Sequence, residues 1–311
     1  MWLRRAALAA LAAAALASGG CGSQASSLSH AEQRYTKALE AADAPPAVGF
    51  EQPVPAGFLR APIAEYRHYA EGVAAGLAPE VQAVQAALAR NDRSAAEAAW
   101  SVAFAHYLSL GAVYGEFGTL NQSIDGLPGG LPGGVDDPRF TGLHRLEYGL
   151  WTGQPLRRLE PVAARLRADV RQLTRVLPTV ALPALDYVTR AHEILEDAER
   201  DFLSGTSVPW SGQGVLATQA SLSATNVVFR TLGPLIGQPL HSNIAGRLAI
   251  LGQVFSSIRK DHGGSLPTLG GLRPQEREQL DGATAGALQA LQSIPVYLNT
   301  TPTRPTPKLP G

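Results

Sequence analysis

The chain contains almost no cysteine, since Cys21 is the single one among its 311 residues. A disulfide within the chain is therefore excluded, and a folded domain has to depend on its hydrophobic core. Hydrophobic residues make up 45% of the chain, and about 290 residues follow Cys21. This length is sufficient for one large core or two smaller ones.

The chain also lacks an excess of charge of either sign, because 26 basic residues balance 26 acidic ones. No global field would attract a nucleic acid, and we predict that the protein does not bind one. A long apolar run is missing too. The apolar stretch at residues 6–17 is too short for a permanent transmembrane helix.

The first 21 residues have the order of a bacterial secretion signal. Arg4 and Arg5 precede the apolar stretch, and small residues at 18–20 precede Cys21. We predict a lipoprotein signal peptide at 1–21 and an acylated Cys21, which would anchor the protein to the outer face of the cytoplasmic membrane. An ordinary signal peptide followed by a free cysteine is the alternative.

Strand patterns are scarce, and helical spacing of apolar residues predicts an all-α fold of two packed antiparallel helical bundles. We expect a tether at 22–61, a helical domain at 62–295 and a disordered tail at 296–311. Glycine and proline separate the expected helices. The first is expected at 62–90 with an interruption at Pro79, the second from Asn91 to about 117 with a capping box at 94–97, and the third from 138 through 151 with Asp137 as its cap. Further helices are expected near 156–177, 184–204, 215–236, 240–260 and 274–296.

The most informative motif places His144 and Glu147 three residues apart on one predicted helix. Such residues are neighbours on a helix surface, with Cβ atoms roughly 5–6 Å apart, so both side chains can converge on one point. One neutral nitrogen and one anionic oxygen suit a first-row transition metal. The alternative is a structural histidine beside a solvated carboxylate.

Two further places could supply metal ligands. His192, Glu193 and Glu196 form a motif one residue away from the His-Glu-x-x-His of zinc proteases, but Glu196 replaces the second histidine and excludes that site. A solvated helix face is the alternative there, since dense charge continues to Asp201. Asp125 precedes the glycine-rich loop at 126–134, where an Asx turn is the alternative. No segment has the pattern of a phosphate-binding loop or of a serine nucleophile.

The segment 142–151, Gly-Leu-His-Arg-Leu-Glu-Tyr-Gly-Leu-Trp, resembles the Gly-x-His-x-x-Glu signature of the imelysin-like family, and more narrowly of EfeO-type iron-uptake lipoproteins. The similarity includes 114–118, 131–135 and 191–197, and it extends over about 62–295. The resemblance implies a bilobal all-helical domain, here without the amino-terminal cupredoxin domain of some relatives. It also implies an extracytoplasmic iron-binding role beside an iron permease and a haem peroxidase.

Carried over to this chain, the resemblance implies metal ligation by His144 and Glu147, by Asp125 before the loop, and by Glu193 or Glu196 on the later helix. Many relatives also carry two carboxylates on the helix before the loop. This chain has Leu108 and Gly111 at those positions. A site without these carboxylates is expected to bind iron more weakly or to prefer a softer ion, such as zinc or copper.

The leading hypothesis is a lipid-anchored protein, not an enzyme, that captures iron for a membrane permease. A helical module that binds a polymer or a protein without metal is the alternative, and a metallopeptidase is the third possibility. Because an imidazole has to be neutral to bind a metal, we expect the affinity to fall as the pH drops through about 6.5.

Overall fold

The computed structural model describes residues 54–298. The predicted signal peptide, Cys21, most of the tether and most of the tail lie outside this range, so those assignments stay predictions. Residues 54–298 contain helices and turns but no strand, which confirms the all-α prediction. None of the helices in this range is long and apolar enough to cross a membrane.

The helices mostly follow the expected segments. Their bounds are α1 Arg60–Ala89, α2 Arg93–Leu108, α3 Thr119–Asp125, α4 Gly142–Trp151, α5 Glu160–Val176, α6 Ala184–Asp197, α7 Gly214–Leu232, α8 Leu240–Asp261, α9 Pro274–Leu291 and α10 Ser293–Tyr297. A π-helical turn, Ala198–Leu203, continues α6 directly.

The interruption expected at Pro79 is wrong, because α1 runs through this proline without a break. An internal proline costs a helix about 3 kcal/mol, since it removes a hydrogen bond and clashes with the preceding turn. Buried residues on both sides, among them Leu77 and Val81, pack α1 into the core. Tertiary packing therefore outweighs the local preference.

Two predicted helix caps are also wrong, although the start expected at Asn91 and Asp92 agrees with α2. The cap of α2 is Asp92, whose carboxylate accepts a hydrogen bond from the amide of Ala95 at 3.0 Å, rather than the predicted capping box. Asp137 does not cap α4 but binds the amide and the guanidinium of Arg139 within the preceding loop. In both cases an aspartate stabilises the backbone amides nearest to it.

The short helix α3 was not predicted. It spans seven residues, and Leu120 and Ile124 are its buried residues. Two apolar positions one turn apart are too few to give a periodic signal. This helix matters for the site because Asp125 is its last residue.

Buried side chains from α1 through α10 form one contiguous hydrophobic core. Helix α1 packs against α2 and α5, α7 packs against α2 and α6, and α8 packs against α9. The indole of Trp100 on α2 donates a buried hydrogen bond to the carbonyl of Leu143 on α4, at 2.8 Å. The core thereby fixes the helix that carries His144. The division into two lobes stays a prediction.

Candidate metal centre

Helix α4 begins against the end of α3, and this contact places His144 beside Asp125. Gly142, the first residue of α4, has a φ of 80°, which favours glycine. A Cβ atom at this position would overlap the carbonyl group of Ile124. Thr141 adds a hydrogen bond to the carbonyl of Ser123, at 2.9 Å. The close approach therefore requires a glycine where α4 starts.

The imidazole of His144 lies between two carboxylates. Its Nδ1 atom is 2.8 Å from Oε2 of Glu147, and its Nε2 atom is 3.3 Å from Oδ1 of Asp125. All three side chains are buried, with exposed fractions of 2%, 0% and 5% for His144, Glu147 and Asp125. The ring of Phe104 packs edge-on against the imidazole, with centroids 5.5 Å apart. The geometry of this ring is therefore fixed from several sides.

Glu147 is held by the segment that precedes α7. Its Oε1 atom accepts hydrogen bonds from the backbone amides of Trp210, at 3.3 Å, and Ser211, at 2.9 Å, and from the Ser211 hydroxyl at 2.7 Å. His144 and Glu147 are in contact, as their spacing predicts. However, Glu147 contacts the ring nitrogen opposite to the one that faces Asp125, so the two side chains do not converge on one point.

A carboxylate behind one ring nitrogen is the usual support of a metal-binding histidine. An ionised carboxylate only accepts hydrogen bonds, and Glu147 lies closer to the ring than Asp125, at 2.8 Å against 3.3 Å. A neutral His144 therefore keeps its proton on Nδ1. The Nε2 atom is then the nitrogen that can bind a metal.

The Nε2 side of His144 borders a cavity of about 240 Å³. Asp125 lies in its wall, where Oδ2 accepts a hydrogen bond from the Tyr114 hydroxyl. The Oδ1 atom of Asp125 is buried, and Nε2 of His144 lies 3.3 Å from it, which is longer than a good hydrogen bond. A metal that bound both atoms would replace the proton of the ring as the positive charge beside Asp125. One nitrogen and one carboxylate therefore offer a metal two donors at this place.

Sequence reasoning missed Asp197 and Asp201, which also line the cavity. Asp197 is the last residue of α6, and Asp201 lies in the π-helical turn. Burial raises the pKa of Asp197, although Arg200 bonds to both carboxylates from the exposed side. A signal existed, because Asp197 and Asp201 follow the buried Ile194 at helical spacing. The charged residues around Asp197 and Asp201 made this spacing look like a solvated helix face.

The predicted acids Glu193 and Glu196 are not brought to His144. Glu193 lies 3.3 Å from a guanidinium nitrogen of Arg190, and Glu196 lies 3.9 Å from Nε2 of His192. Neither glutamate lines the cavity. Within residues 54–298 the structure forms no group of three histidine, cysteine or acidic side chains that could hold a metal. The site is therefore built around the pair of His144 and Asp125.

The protonation of His144 follows from its neighbours. Burial lowers the pKa of the imidazole, but the charges of Asp125 and Glu147 and their hydrogen bonds outweigh burial and raise the pKa to about 9. In the metal-free protein the ring is then an imidazolium at neutral pH. A metal has to displace this proton. The affinity is thus expected to rise with pH up to about 9 instead of changing around 6.5.

The same shift predicts a pH-dependent stability of the metal-free protein. A pKa that is higher in the folded state stabilises the fold below about pH 6.5, and this contribution disappears as the pH rises through about 9. We expect a loss of up to about 3 kcal/mol in the free energy of unfolding. Urea unfolding between about pH 6 and pH 10 measures it. A His144→Gln variant should lack this slope, and an equal slope in both proteins would contradict the assignment to His144.

The comparisons with known proteins agree with the resemblance to the imelysin-like family. The family model described as imelysin matches residues 62–206. The chain is similar to the iron uptake system component EfeM of Pseudomonas syringae, with 23% identity over 239 residues, covering 76% of this chain and 84% of EfeM. It is also similar to EfeO, another iron uptake system component, of Escherichia coli and of Yersinia pseudotuberculosis. Both are 25% identical to it, over 55% and 66% of this chain. The matches span 46% and 56% of the respective EfeO lengths.

Proposed function

Because this chain is an imelysin-like protein of the EfeO type, we propose that it is an extracytoplasmic component of an iron uptake system. In this proposal the protein binds iron in the cavity beside His144 and delivers it to a membrane permease. The names of EfeM and EfeO support the role in iron uptake. The buried carboxylate of Asp125, which lies 3.3 Å from Nε2 of His144 in the wall of the cavity, is the observation that carries the binding role.

Each residue of the site has its own part in this proposal. His144 and Asp125 supply the first ligands, and Glu147 orients the imidazole without binding the metal itself. Asp197 and Asp201 line the same cavity and add negative charge to its wall, whereas Glu193 and Glu196 do not line it. Tyr114 holds Asp125 in position through its hydroxyl group.

The cellular setting is part of the same proposal. A lipid on Cys21 would keep the protein at the outer face of the cytoplasmic membrane, near the permease that takes up the iron. The resemblance adds a haem peroxidase as a second partner. The named relatives are iron uptake system components, which supports the prediction that this chain is not an enzyme.

Calorimetric titration of the purified protein with Fe²⁺, ferric citrate, Zn²⁺, Cu²⁺ and Mn²⁺ tests the binding role. We expect saturable binding of iron, at a dissociation constant of about 1 μM or lower. A preference for Zn²⁺ or Cu²⁺ would assign another metal to the same cavity. No saturable binding of any ion would contradict the proposal and would favour a helical binding module that needs no metal.

Replacing Leu108 by glutamate is expected to strengthen iron binding. Leu108 lies in the wall of the cavity and is 5% exposed. A carboxylate there would add an oxygen donor and a negative charge close to the metal, for which we expect a gain of about tenfold in affinity. Titration of Leu108→Glu beside Leu108→Gln, which has the same shape without the charge, measures the effect. Equal affinities of the two variants would show that this position does not face the ion.

A further inference from the structure

We infer that the cavity receives its metal as a complex with a small carboxylate chelator, and that Arg190 recognises the chelator. This inference rests on the proposed function and specifies the form in which the iron is bound. Three features of the cavity carry it: the number of donors, the volume and the charge of its wall.

The protein supplies too few donors for a bare ion. Octahedral sites need about six ligands. The described residues offer the pair of His144 and Asp125 and form no group of three metal-binding side chains. Further ligands therefore have to arrive with the ion, or be water.

The volume favours a complex over an ion with a few waters. A cavity of about 240 Å³ has room for several water molecules, because roughly 10–15 Å³ is enough for one. That space accommodates an ion together with a small organic acid. The side-chain oxygen of Asn121, which is buried without a hydrogen-bond partner, lies in the same wall. A hydroxyl group of the acid could donate a hydrogen bond to it.

Arg190 gives the wall a permanent positive charge. Arg190 lines the cavity, whereas its acidic partners, Glu116 and Glu193, do not. It lies 3.5 Å from Glu116 and 3.3 Å from Glu193, longer than the distances of about 2.7–2.9 Å typical of strong charge-assisted hydrogen bonds. Since a guanidinium group has five N–H donors, several are available to a ligand. The carboxylates of Asp125, Asp197 and Asp201 line the same cavity. Arg190 adds to them a cation that can bind a further carboxylate in bidentate geometry.

Equilibrium dialysis with ferric citrate labelled in the citrate, combined with calorimetry, tests the inference. We expect iron and citrate to bind together in the unmodified protein. Arg190→Gln should lower the affinity for ferric citrate by at least about tenfold. It should not lower the affinity for anaerobic Fe²⁺, because the substitution removes a positive charge beside the ion. Arg190→Lys, which retains the charge but not the planar fork, should bind ferric citrate with intermediate affinity.

The control Arg165→Gln removes an arginine that pairs with Asp169 and does not line the cavity. It should bind both forms of iron like the unmodified protein. Iron that is retained from ferric citrate without its citrate, or an equal loss of affinity for Fe²⁺ and ferric citrate in Arg190→Gln, would overturn the inference and leave the proposed function intact. Failure of the unmodified protein to bind either form would overturn both.

Discussion

His144→Ala is expected to lower the affinity for iron by more than about 100-fold, beyond the 10–100-fold typical of losing a supporting residue. Among the described residues that line the cavity, His144 alone carries an imidazole. Its removal deletes the nitrogen donor and leaves Asp125 and Glu147 buried without their shared cation. Calorimetric titration with Fe²⁺ measures the loss, and thermal unfolding reports whether the variant is folded.

His106→Ala is the matched control for this change. His106 lies on α2, where its Nδ1 atom contacts Glu80 at 2.6 Å, and it is not part of the cavity. Iron binding by this variant should equal that of the unmodified protein. If His144→Ala is too unstable to titrate, His144→Gln offers an uncharged side chain that can still hydrogen-bond to its neighbours. Full retention of iron binding in the folded His144→Gln variant would exclude His144 as a ligand.

The fold was largely predictable because its helices are long and separated by glycine and proline. The expected segments 184–204 and 240–260 agree with α6, with its π-helical turn, and with α8. The errors arose where local preference and packing disagree. Pro79 should interrupt a helix on its own, but Leu77 and Val81, two residues to either side, are buried. Asp137 has the chemistry of a helix cap, but it binds Arg139.

The site was predictable only where its residues are close in sequence. The spacing of His144 and Glu147 predicts their contact, since residues three apart on a helix are neighbours. The contact between His144 and Asp125 depends on the packing of α3 against α4, and only the family resemblance indicated it. Ser211, which binds Glu147, is 64 residues away along the chain. No periodic pattern connects such residues, because the core alone brings them together.

Replacing Glu147 is expected to have a large effect on the stability of the fold. Its side chain is fully buried and accepts hydrogen bonds from two backbone amides, a hydroxyl group and an imidazole. Glu147→Ala leaves these donors and the charge of His144 unpaired, for which we expect a loss of about 3–5 kcal/mol in the free energy of unfolding. Urea unfolding at neutral pH measures this loss, and Glu199→Ala on the exposed surface is the control.

Glu147→Gln separates the two roles of this residue. The three donors around Oε1, from Trp210 and Ser211, should hold the amide oxygen, so that the NH₂ group faces Nδ1 of His144. Nδ1 then has to accept a hydrogen bond, and the proton of the neutral ring moves to Nε2, which can no longer bind a metal. We expect a folded protein whose iron affinity is about 10–100-fold lower. Calorimetric titration of the folded variant with Fe²⁺ measures this affinity. Unchanged affinity would mean that the orientation of His144 does not depend on Glu147, whereas complete loss would favour Glu147 as a direct ligand.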